Sequence, residues 1–231
     1  MIKKSTVLQL KIQPLTPARW ADFEKLFGER GACGGCWCMF MRLPRATFEQ
    51  QKGLKNKKAM QKLVKANDVP GLLAYARGEP VGWCSISPRE KFSALERSRI
   101  LQPIDEQPVW SVTCFFIAKG FRRQGVTVEL LKAAITYVKK RGGKILEGYP
   151  VEPASTGSAS TGSASTGSAS TGSASTSSAS TSSATTADAG AKKMQPDTFM
   201  WTGLASAFRK AGFKEILRRS ATRPIMRYYV K

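Results

Sequence analysis

The sequence predicts a mixed α/β (α+β) domain, and three patterns of residues carry this prediction. Residues 109–117 are rich in β-branched and aromatic side chains, as a buried strand requires. Residues 126–138 place apolar side chains at helical spacing and predict an amphipathic helix. Two apolar runs, 71–76 and 80–87, are separated by a short Gly-containing turn and predict a β-hairpin. Strands and helices of this kind pack as helices on a sheet.

The chain is strongly basic. Its 231 residues include 37 lysines and arginines against 16 acidic residues, which gives a net charge of +21. This charge suits an anionic partner, either a nucleic acid or the phosphates of a smaller ligand, and it disfavours polycationic substrates such as polyamines. No apolar run approaches the length of a membrane-spanning helix, and residues 1–11 lack the apolar core of a signal peptide. Five cysteines, an odd number, favour a reducing compartment, so we expect a cytoplasmic protein with no membrane partner.

The N-terminal region predicts a strand followed by a helix. Residues 7–12 alternate apolar and polar side chains and predict the first strand, which Pro14 should end. Thr16 is a suitable N-cap and Pro17 a suitable first helical residue. The helix that follows is amphipathic and should close near Gly28.

Three closely spaced cysteines follow this helix. Cys33, Cys36 and Cys38 could be metal ligands, but a fourth ligand would have to come from Cys84 or Cys114, because the chain has no histidine. The alternative is a set of glycine-permitted turns that pack against neighbouring aromatic residues. We favour this second interpretation and expect no metal.

The remaining elements follow from the same patterns. Residues 48–65 predict a basic surface helix, and 144–151 predict a strand after the central helix. Residues 199–213 predict a further helix, and 216–219 and 225–230 predict two closing strands.

A low-complexity segment interrupts this pattern. Residues 154–183 are six tandem units of Ala-Ser-Thr-Gly-Ser or Ala-Ser-Thr-Ser-Ser, without a side chain that could build a core. We expect a disordered insertion over 154–190, inside one domain formed by 1–153 and 191–231. Such an insertion costs little, because loop-closure entropy grows only slowly with loop length.

The turn between the central strand and helix has the features of an anion site. It contains Gly120, Arg122, Arg123 and Gly125, directly before a helix N-terminus. Converging backbone N–H groups, the helix dipole and guanidinium groups all favour a phosphate there. The turn is neither the Gly-x-Gly-x-x-Gly of dinucleotide folds nor a P-loop.

This turn resembles the acetyl-CoA motif of the GNAT superfamily of N-acetyltransferases, Arg/Gln-x-x-Gly-x-Gly/Ala. Arg122, Gly125 and Thr127 fall on its defining positions, although Thr127 departs from the usual glycine or alanine. The segment 211–213 resembles the end of the superfamily's Tyr-x-x-x-Gly-Phe helix, with Phe208 at the tyrosine position.

The resemblance implies a mostly antiparallel central sheet of about six or seven strands flanked by helices, with strands 4 and 5 splayed apart. It implies direct transfer of an acetyl group from acetyl-CoA, the co-substrate, to an amine acceptor that the sequence does not identify. The gap between strands 4 and 5 would hold the pantetheine arm and the acetyl group, and backbone N–H groups near Phe116 and Ile117 would polarise the thioester carbonyl. The cofactor-binding residues implied are Phe115, Phe116, Ile117, Arg122, Arg123, Gln124, Gly125, Val126 and Thr127.

Candidate catalytic groups lie on the predicted fifth strand. Glu147 and Tyr149 share one face of it, because side chains alternate along a strand. We expect Glu147 to act as base and Tyr149 as acid, since Phe208 cannot donate a proton. The segment after the first helix shapes the acceptor pocket in the superfamily, which suggests Trp37, Met39 and Arg42 as acceptor contacts.

Two other functions stay open at this point. Phe208 and Thr127 are compatible with a scaffold that binds acyl-CoA but has lost catalysis. The excess positive charge is compatible with a protein directed to nucleic acid or RNA.

Overall fold

A computed structural model describes residues 8–153 and 201–231, and in these residues seven strands form one sheet. The strands are β1 (Lys11–Pro14), β2 (Gly71–Ala76), β3 (Glu79–Pro88), β4 (Trp110–Ile117), β5 (Ile145–Gly148), β6 (Lys214–Arg218) and β7 (Pro224–Tyr229). The helices are α1 (Trp20–Phe27), α2 (Arg45–Gln50), α3 (Leu54–Lys65), α4 (Ser93–Glu96), α5 (Val126–Lys140) and α6 (Ala205–Lys210).

The strand order is β1-β2-β3-β4-β5-β7-β6, and every neighbouring pair is antiparallel except β4 and β5. The parallel pairing of β4 with β5 covers three residues of β4, 110–112, whereas β3 accompanies β4 along its whole length. The two strands therefore part after 112. The predicted fold class, a mostly antiparallel sheet with splayed strands 4 and 5, is confirmed.

Helices cover both faces of the sheet. On one face α5 and α6 bury Leu130, Ala134 and Phe208 against the strands. On the other face Phe23 of α1 and Met60 of α3 are fully buried in a second cluster of apolar side chains. Both cores are continuous with the central strands, so the position of β4 is fixed from either side.

A bulge in β4 accompanies the splay. Ser85 pairs with Cys114 and Ile86 pairs with Val112, so Thr113 is an extra residue on β4. A bulge bends the strand that carries it and increases its twist. It therefore turns the second half of β4 away from β5.

Three boundaries differ from the sequence prediction. The first strand includes Pro14, which was expected to end it; β1 is an edge strand, where a missing N–H costs no ladder bond. The predicted helix over 48–65 is divided into α2 and α3 at Gly53, whose φ of +84° is incompatible with a continuous helix. The predicted helix over 199–213 is shorter within the described residues: 201–202 form a turn, Gly203 has a φ of +83°, and α6 begins only at Ala205.

The predicted insertion, 154–190, lies outside the described residues, as does Val7, the first residue of the predicted first strand. Within the described part of the chain, no helix has both the length and the apolar character needed to cross a membrane.

We expect Glu152 to stabilise the fold above acid pH. Arg209 of α6 and Arg218 of β6 both pair with its carboxylate. Their hydrogen bonds lower the pKa of Glu152 from 4.5 to about 2. Because the folded pKa lies below the unfolded one, this contribution is present above pH 4.5 and is lost as the pH falls through 2.

Urea unfolding of the parent protein and Glu152→Gln at several pH values checks this expectation. The difference should be at most about 1 kcal/mol at pH 7, because the pair is partly exposed, and should shrink towards zero in acid. Glu106→Gln, an exposed glutamate without an ion pair among the described residues, is the control. A difference that stays constant into strong acid would contradict the assignment.

Candidate functional site

The turn after β4 presents a row of backbone donors. The N–H groups from Arg123 to Thr127 donate to no acceptor within residues 8–153 and 201–231. Arg123 and Gly125 have left-handed backbones, with φ of +62° and +81°, and the first turn of α5 follows directly. Successive N–H groups in such a turn point to one side, and the helix dipole adds partial positive charge there. The arrangement suits a phosphate-like anion.

Side chains hold this turn in place. Arg122 Nε donates to the carbonyl of Ile117 at 3.1 Å, and Gln124 Nε2 donates to the carbonyl of Gly120 at 2.7 Å. Gly125 has no heavy atom within 4 Å of the position of a Cβ, so the approach to its backbone is open. Arg122, Arg123 and Gln124 are exposed. Two side-chain hydrogen bonds therefore stabilise the turn, and its outer side is basic.

The start of α5 lies close to the sheet. Val126 is buried, and a Cβ added to Gly82 of β3 would lie 3.0 Å from its Cγ1 atom. Thr127 is half-buried in the first helical turn. The absence of a side chain at Gly82 therefore allows the helix N-terminus to approach the end of β4.

After residue 112, where β4 and β5 part, one side of the β4 backbone no longer pairs with β5. The N–H of Phe115 points to this side, and because backbone groups alternate along a strand, Ile117 points there as well. Phe116 faces β3 with its backbone and packs its ring 5.4 Å from that of Phe27. The N–H groups on the side away from β3 are thus those of Phe115 and Ile117. The sequence analysis had placed them near Phe116 and Ile117.

The chain itself enters the gap between β4 and β5. The carbonyl of Trp201 accepts a hydrogen bond of 2.6 Å from the N–H of Phe115. Val151 N–H donates to the carbonyl of Gly203 at 2.8 Å, and Ala205 N–H donates back to Val151. Residues 201–204, a short segment outside the helix, therefore lie where the sequence analysis expected the acetyl group. We call this segment the strap.

The strap is held in place by a glycine, by aromatic rings and by one side-chain hydrogen bond. Gly203 has a φ of +83°, and a Cβ there would lie 3.1 Å from ring atoms of both Phe115 and Phe208. The hydroxyl of Thr202, a buried residue, accepts a hydrogen bond from Arg223. The ring of Trp201 meets that of Phe40 edge-on at 5.2 Å.

Glu147 and Tyr149 lie in a buried polar cluster. Glu147 is fully buried, and its two carboxylate oxygens accept from Arg89 at 3.2 Å and from Arg227 at 2.7 Å. The Tyr149 hydroxyl donates to Glu147 at 2.7 Å and accepts from Arg89 at 2.6 Å. Asp105 completes the charge balance by pairing with Arg227. Every strong donor and acceptor of Glu147 and Tyr149 is thus engaged.

Burial shapes the chemistry of this cluster. Burial and the neighbouring Glu147 charge raise the pKa of Tyr149 well above its ordinary value. The cluster sits beside the paired part of β4, since Ser111 pairs with Glu147 and contacts the Tyr149 hydroxyl at 2.9 Å. Ser111 and Ile117 are six positions apart, so the cluster and the turn are separated by about 20 Å along the strand.

The predicted acceptor contacts are buried. Trp37 and Met39 are core residues, and Arg42 donates to the carbonyl of Pro70 and to the hydroxyl of Ser87. In the described part of the chain, no group of three or more histidine, cysteine or acidic side chains is arranged to hold a metal.

The comparison with known families decides the assignment. The model of the acetyltransferase (GNAT) family matches residues 37–158, just over half of the chain, and the match includes the splayed strands and the anion-binding turn. The chain belongs to the GNAT family of acetyltransferases.

Solved structures with this fold are distant in sequence. A GNAT family acetyltransferase from Streptococcus agalactiae has 10% identity and a TM-score of 0.48, over 97% of each chain. The PaiA N-acetyltransferase of Thermoplasma acidophilum, solved with coenzyme A, has 12% identity and a TM-score of 0.45, over 96% of this chain and 99% of that one. No curated protein matches the chain significantly. The assignment to GNAT therefore rests on the family model.

Sequence reasoning missed the partners of Glu147 and the strap of this GNAT domain. Arg227 stands opposite Glu147 in the register of β5 and β7, so strand pairing could have indicated it. Arg89 and Asp105 lie outside the strands, 58 residues from Glu147 and 122 residues from Arg227, and no local pattern marks them.

We expect Glu147→Gln to destabilise the protein. The substitution leaves two buried guanidinium groups without their carboxylate, which costs about 3 kcal/mol or more. Chemical unfolding measures the change. Glu129→Gln is the control, because Glu129 pairs with Lys132 on the exposed face of α5 and should matter by less than about 0.5 kcal/mol. Equal stability of the two variants would show that the buried cluster does not hold β5 to β7.

Proposed function

We propose that this GNAT protein transfers an acetyl group from acetyl-CoA directly to an amine acceptor. The observation that carries the proposal is the row of five backbone N–H groups, 123–127, without an acceptor among the described residues at the start of α5. These donors suit the pyrophosphate of the coenzyme. Coenzyme A bound to the distant PaiA enzyme is compatible with this choice of ligand.

The residues present fit such a ligand. Arg122 and Arg123 are exposed next to the donors, and Gly125 leaves the space above its backbone open. Thr127 carries a side chain at a motif position that is usually glycine or alanine. Because it lies half-buried in the helix, we propose that its N–H takes part without its side chain blocking the phosphate.

The chemistry proposed is attack of an amine on the thioester carbonyl. The carbon–nitrogen bond forms, the carbon–sulfur bond breaks, and the amine proton goes to a base while the coenzyme thiolate takes up a proton. The N–H of Ile117 points to the open side of β4 and would polarise the carbonyl, as an oxyanion donor does. The N–H of Phe115 would join it once the Trp201 carbonyl moves aside.

Glu147 and Tyr149 remain the predicted base and acid. Their hydrogen-bonded positions favour relay of a proton through the cluster over direct contact with the amine. Ser111, which contacts the Tyr149 hydroxyl, lies on β4 and offers the path from the cluster towards the splay.

A second candidate is a GNAT scaffold that binds acyl-CoA without turnover. Two observations favour it: the strap takes the N–H of Phe115, and Phe208 replaces the tyrosine expected at its position. Coenzyme binding without turnover across a panel of amines would support this candidate and contradict acetyl transfer.

A third candidate, nucleic-acid binding, is favoured by one surface. Lys55, Lys58, Lys62 and Lys65 are exposed along one stripe of α3. RNA binding that weakens steeply with salt and is unaffected by coenzyme A would favour it.

We expect Gly125→Glu to weaken acetyl-CoA binding at least tenfold, because it adds a negative charge and a side chain at the donors. Gly142→Glu is a matched control: Gly142 follows the other end of α5, has a similar φ of +74°, and also has open space at its Cβ position. Isothermal titration compares the two. The anion site would be wrong if both variants bound like the parent protein.

We expect Tyr149→Phe to lower kcat by about 10²-fold, the scale of a lost proton-transfer group, with little change in coenzyme affinity. Tyr137→Phe, on α5, is the control. The assay requires an acceptor found by screening amines. An unchanged kcat and pH profile would remove Tyr149 from the proton path.

A further inference from the structure

Trp201, the first residue of the strap, contacts two parts of the candidate site at once. Its carbonyl accepts the hydrogen bond of 2.6 Å from the N–H of Phe115, on the side of β4 that faces away from β3. Its ring lies 5.2 Å from that of Phe40 and packs against the buried apolar cluster that contains Met41 and Tyr149. One residue therefore takes a donor proposed for the thioester and packs on the cluster of the predicted acid.

The second half of the strap is firmly anchored. The carbonyl of Gly203 accepts from the N–H of Val151 at 2.8 Å, and the N–H of Ala205 donates to the carbonyl of Val151 at 2.9 Å. A Cβ on Gly203 would lie 3.1 Å from ring atoms of Phe115 and Phe208, so these rings enclose the glycine closely. Backbone hydrogen bonds and close packing thus fix this half to the chain that continues from β5.

The first half of the strap, Trp201 and Thr202, is held more lightly. Besides the carbonyl and ring contacts of Trp201, its hydrogen bond in the described part of the chain runs from Arg223 Nη1 to Thr202 Oγ1 at 2.9 Å. Gly203 follows directly, with a φ of +83°, and a glycine there has access to backbone conformations that other residues avoid. Rotation about the φ angle of Gly203 moves the residues before it and leaves the anchored residues after it in place.

This first half excludes one part of the coenzyme and not the other. It takes the N–H of Phe115, which the acyl arm would use, whereas the N–H groups of 123–127 donate to no acceptor within residues 8–153 and 201–231. Exchange of the Phe115 hydrogen bond costs little, because one carbonyl replaces another. The cost of displacing this half therefore comes from the bond between Arg223 and Thr202 and from the packing of the Trp201 ring. A ligand that requires the displaced state binds more weakly in proportion to the rarity of that state.

We propose that Trp201 and Thr202 form an autoinhibitory plug, which the acyl arm of acetyl-CoA displaces by turning it about Gly203. The plug rests on the proposed binding of acetyl-CoA and adds a control step to it. With the plug in place, the turn before α5 binds the phosphates, and the arm is kept from Phe115. With the plug displaced, the arm takes the N–H of Phe115, and the ring of Trp201 leaves the cluster of Tyr149.

The first test compares two ligands by isothermal titration. Acetyl-CoA carries the acyl arm, whereas 3′-phosphoadenosine 5′-diphosphate carries the same pyrophosphate without an arm. Thr202→Val keeps the shape of this buried side chain and removes the acceptor of Arg223. We expect acetyl-CoA to bind this variant about three- to tenfold more tightly, the scale of one hydrogen bond, and the nucleotide to bind with unchanged affinity. Thr136→Val, the control, removes a hydroxyl on the exposed side of α5 and should change neither affinity.

Tryptophan fluorescence provides a second measurement, which does not depend on a change in affinity. Trp201 is half-buried, so its displacement by acetyl-CoA should shift the emission of the parent protein to longer wavelength. The nucleotide without an arm should leave the emission unshifted. Trp201→Phe should lose the shift, whereas Trp20→Phe, which removes another half-buried tryptophan, should keep it. Circular dichroism checks that each variant is folded.

Three results would overturn the plug while acetyl-CoA still binds. The first is an emission shift that survives in Trp201→Phe, or no shift at all. The second is an unchanged acetyl-CoA affinity in Thr202→Val, and the third is equal tightening of both ligands, which would place the effect at the turn. If neither ligand bound the parent protein or Thr202→Val, the coenzyme site itself would be wrong and the plug would fall with it. Binding of acetyl-CoA therefore distinguishes failure of the plug from failure of the proposed function.

Discussion

The parting of β4 from β5 after three paired residues is the constraint on which the rest of the structure depends. Thr113, the bulged residue, turns the strand, and from there β3 is the only strand among the described residues that pairs with β4. A strand with one open side presents N–H and C=O groups that need partners. Because β4 runs directly into the turn before α5, these backbone groups and the anion site form one continuous polar track.

The strap provides one of these hydrogen-bond partners from within the chain. Its Trp201 carbonyl satisfies the N–H of Phe115, and its Gly203 fits between the rings of Phe115 and Phe208. A ligand that uses Phe115 has to replace one hydrogen bond by another, which costs little net free energy. This replacement of one hydrogen bond by another is therefore compatible with both the transferase and the scaffold candidates. A measurement of turnover distinguishes the two.

Patterns within short stretches of the sequence predicted the strands, turns and helices that those stretches form. Strand β4, the turn and α5 follow from β-branched residues, two glycines and helical spacing within 30 residues. This unit carries both the resemblance to the family and the candidate anion site. The environment of Glu147 depends on contacts 58 and 80 residues away in sequence, which no periodicity encodes. The two-residue spacing of Glu147 and Tyr149 correctly placed both side chains on one face of the strand. It could not reveal the two arginines that bind them in a buried cluster.

The same division separates the turn before α5 from the buried cluster around Glu147. The anion site is built from one segment, so it can persist when distant parts of the chain change. The buried cluster needs Glu147 of β5, Arg227 of β7 and Arg89, which lies outside the strands, and it forms only when these distant segments pack together. These ion pairs are therefore a property of the complete fold, whereas hydrogen bonds within one segment, from Arg122 to Ile117 and from Gln124 to Gly120, stabilise the turn before α5.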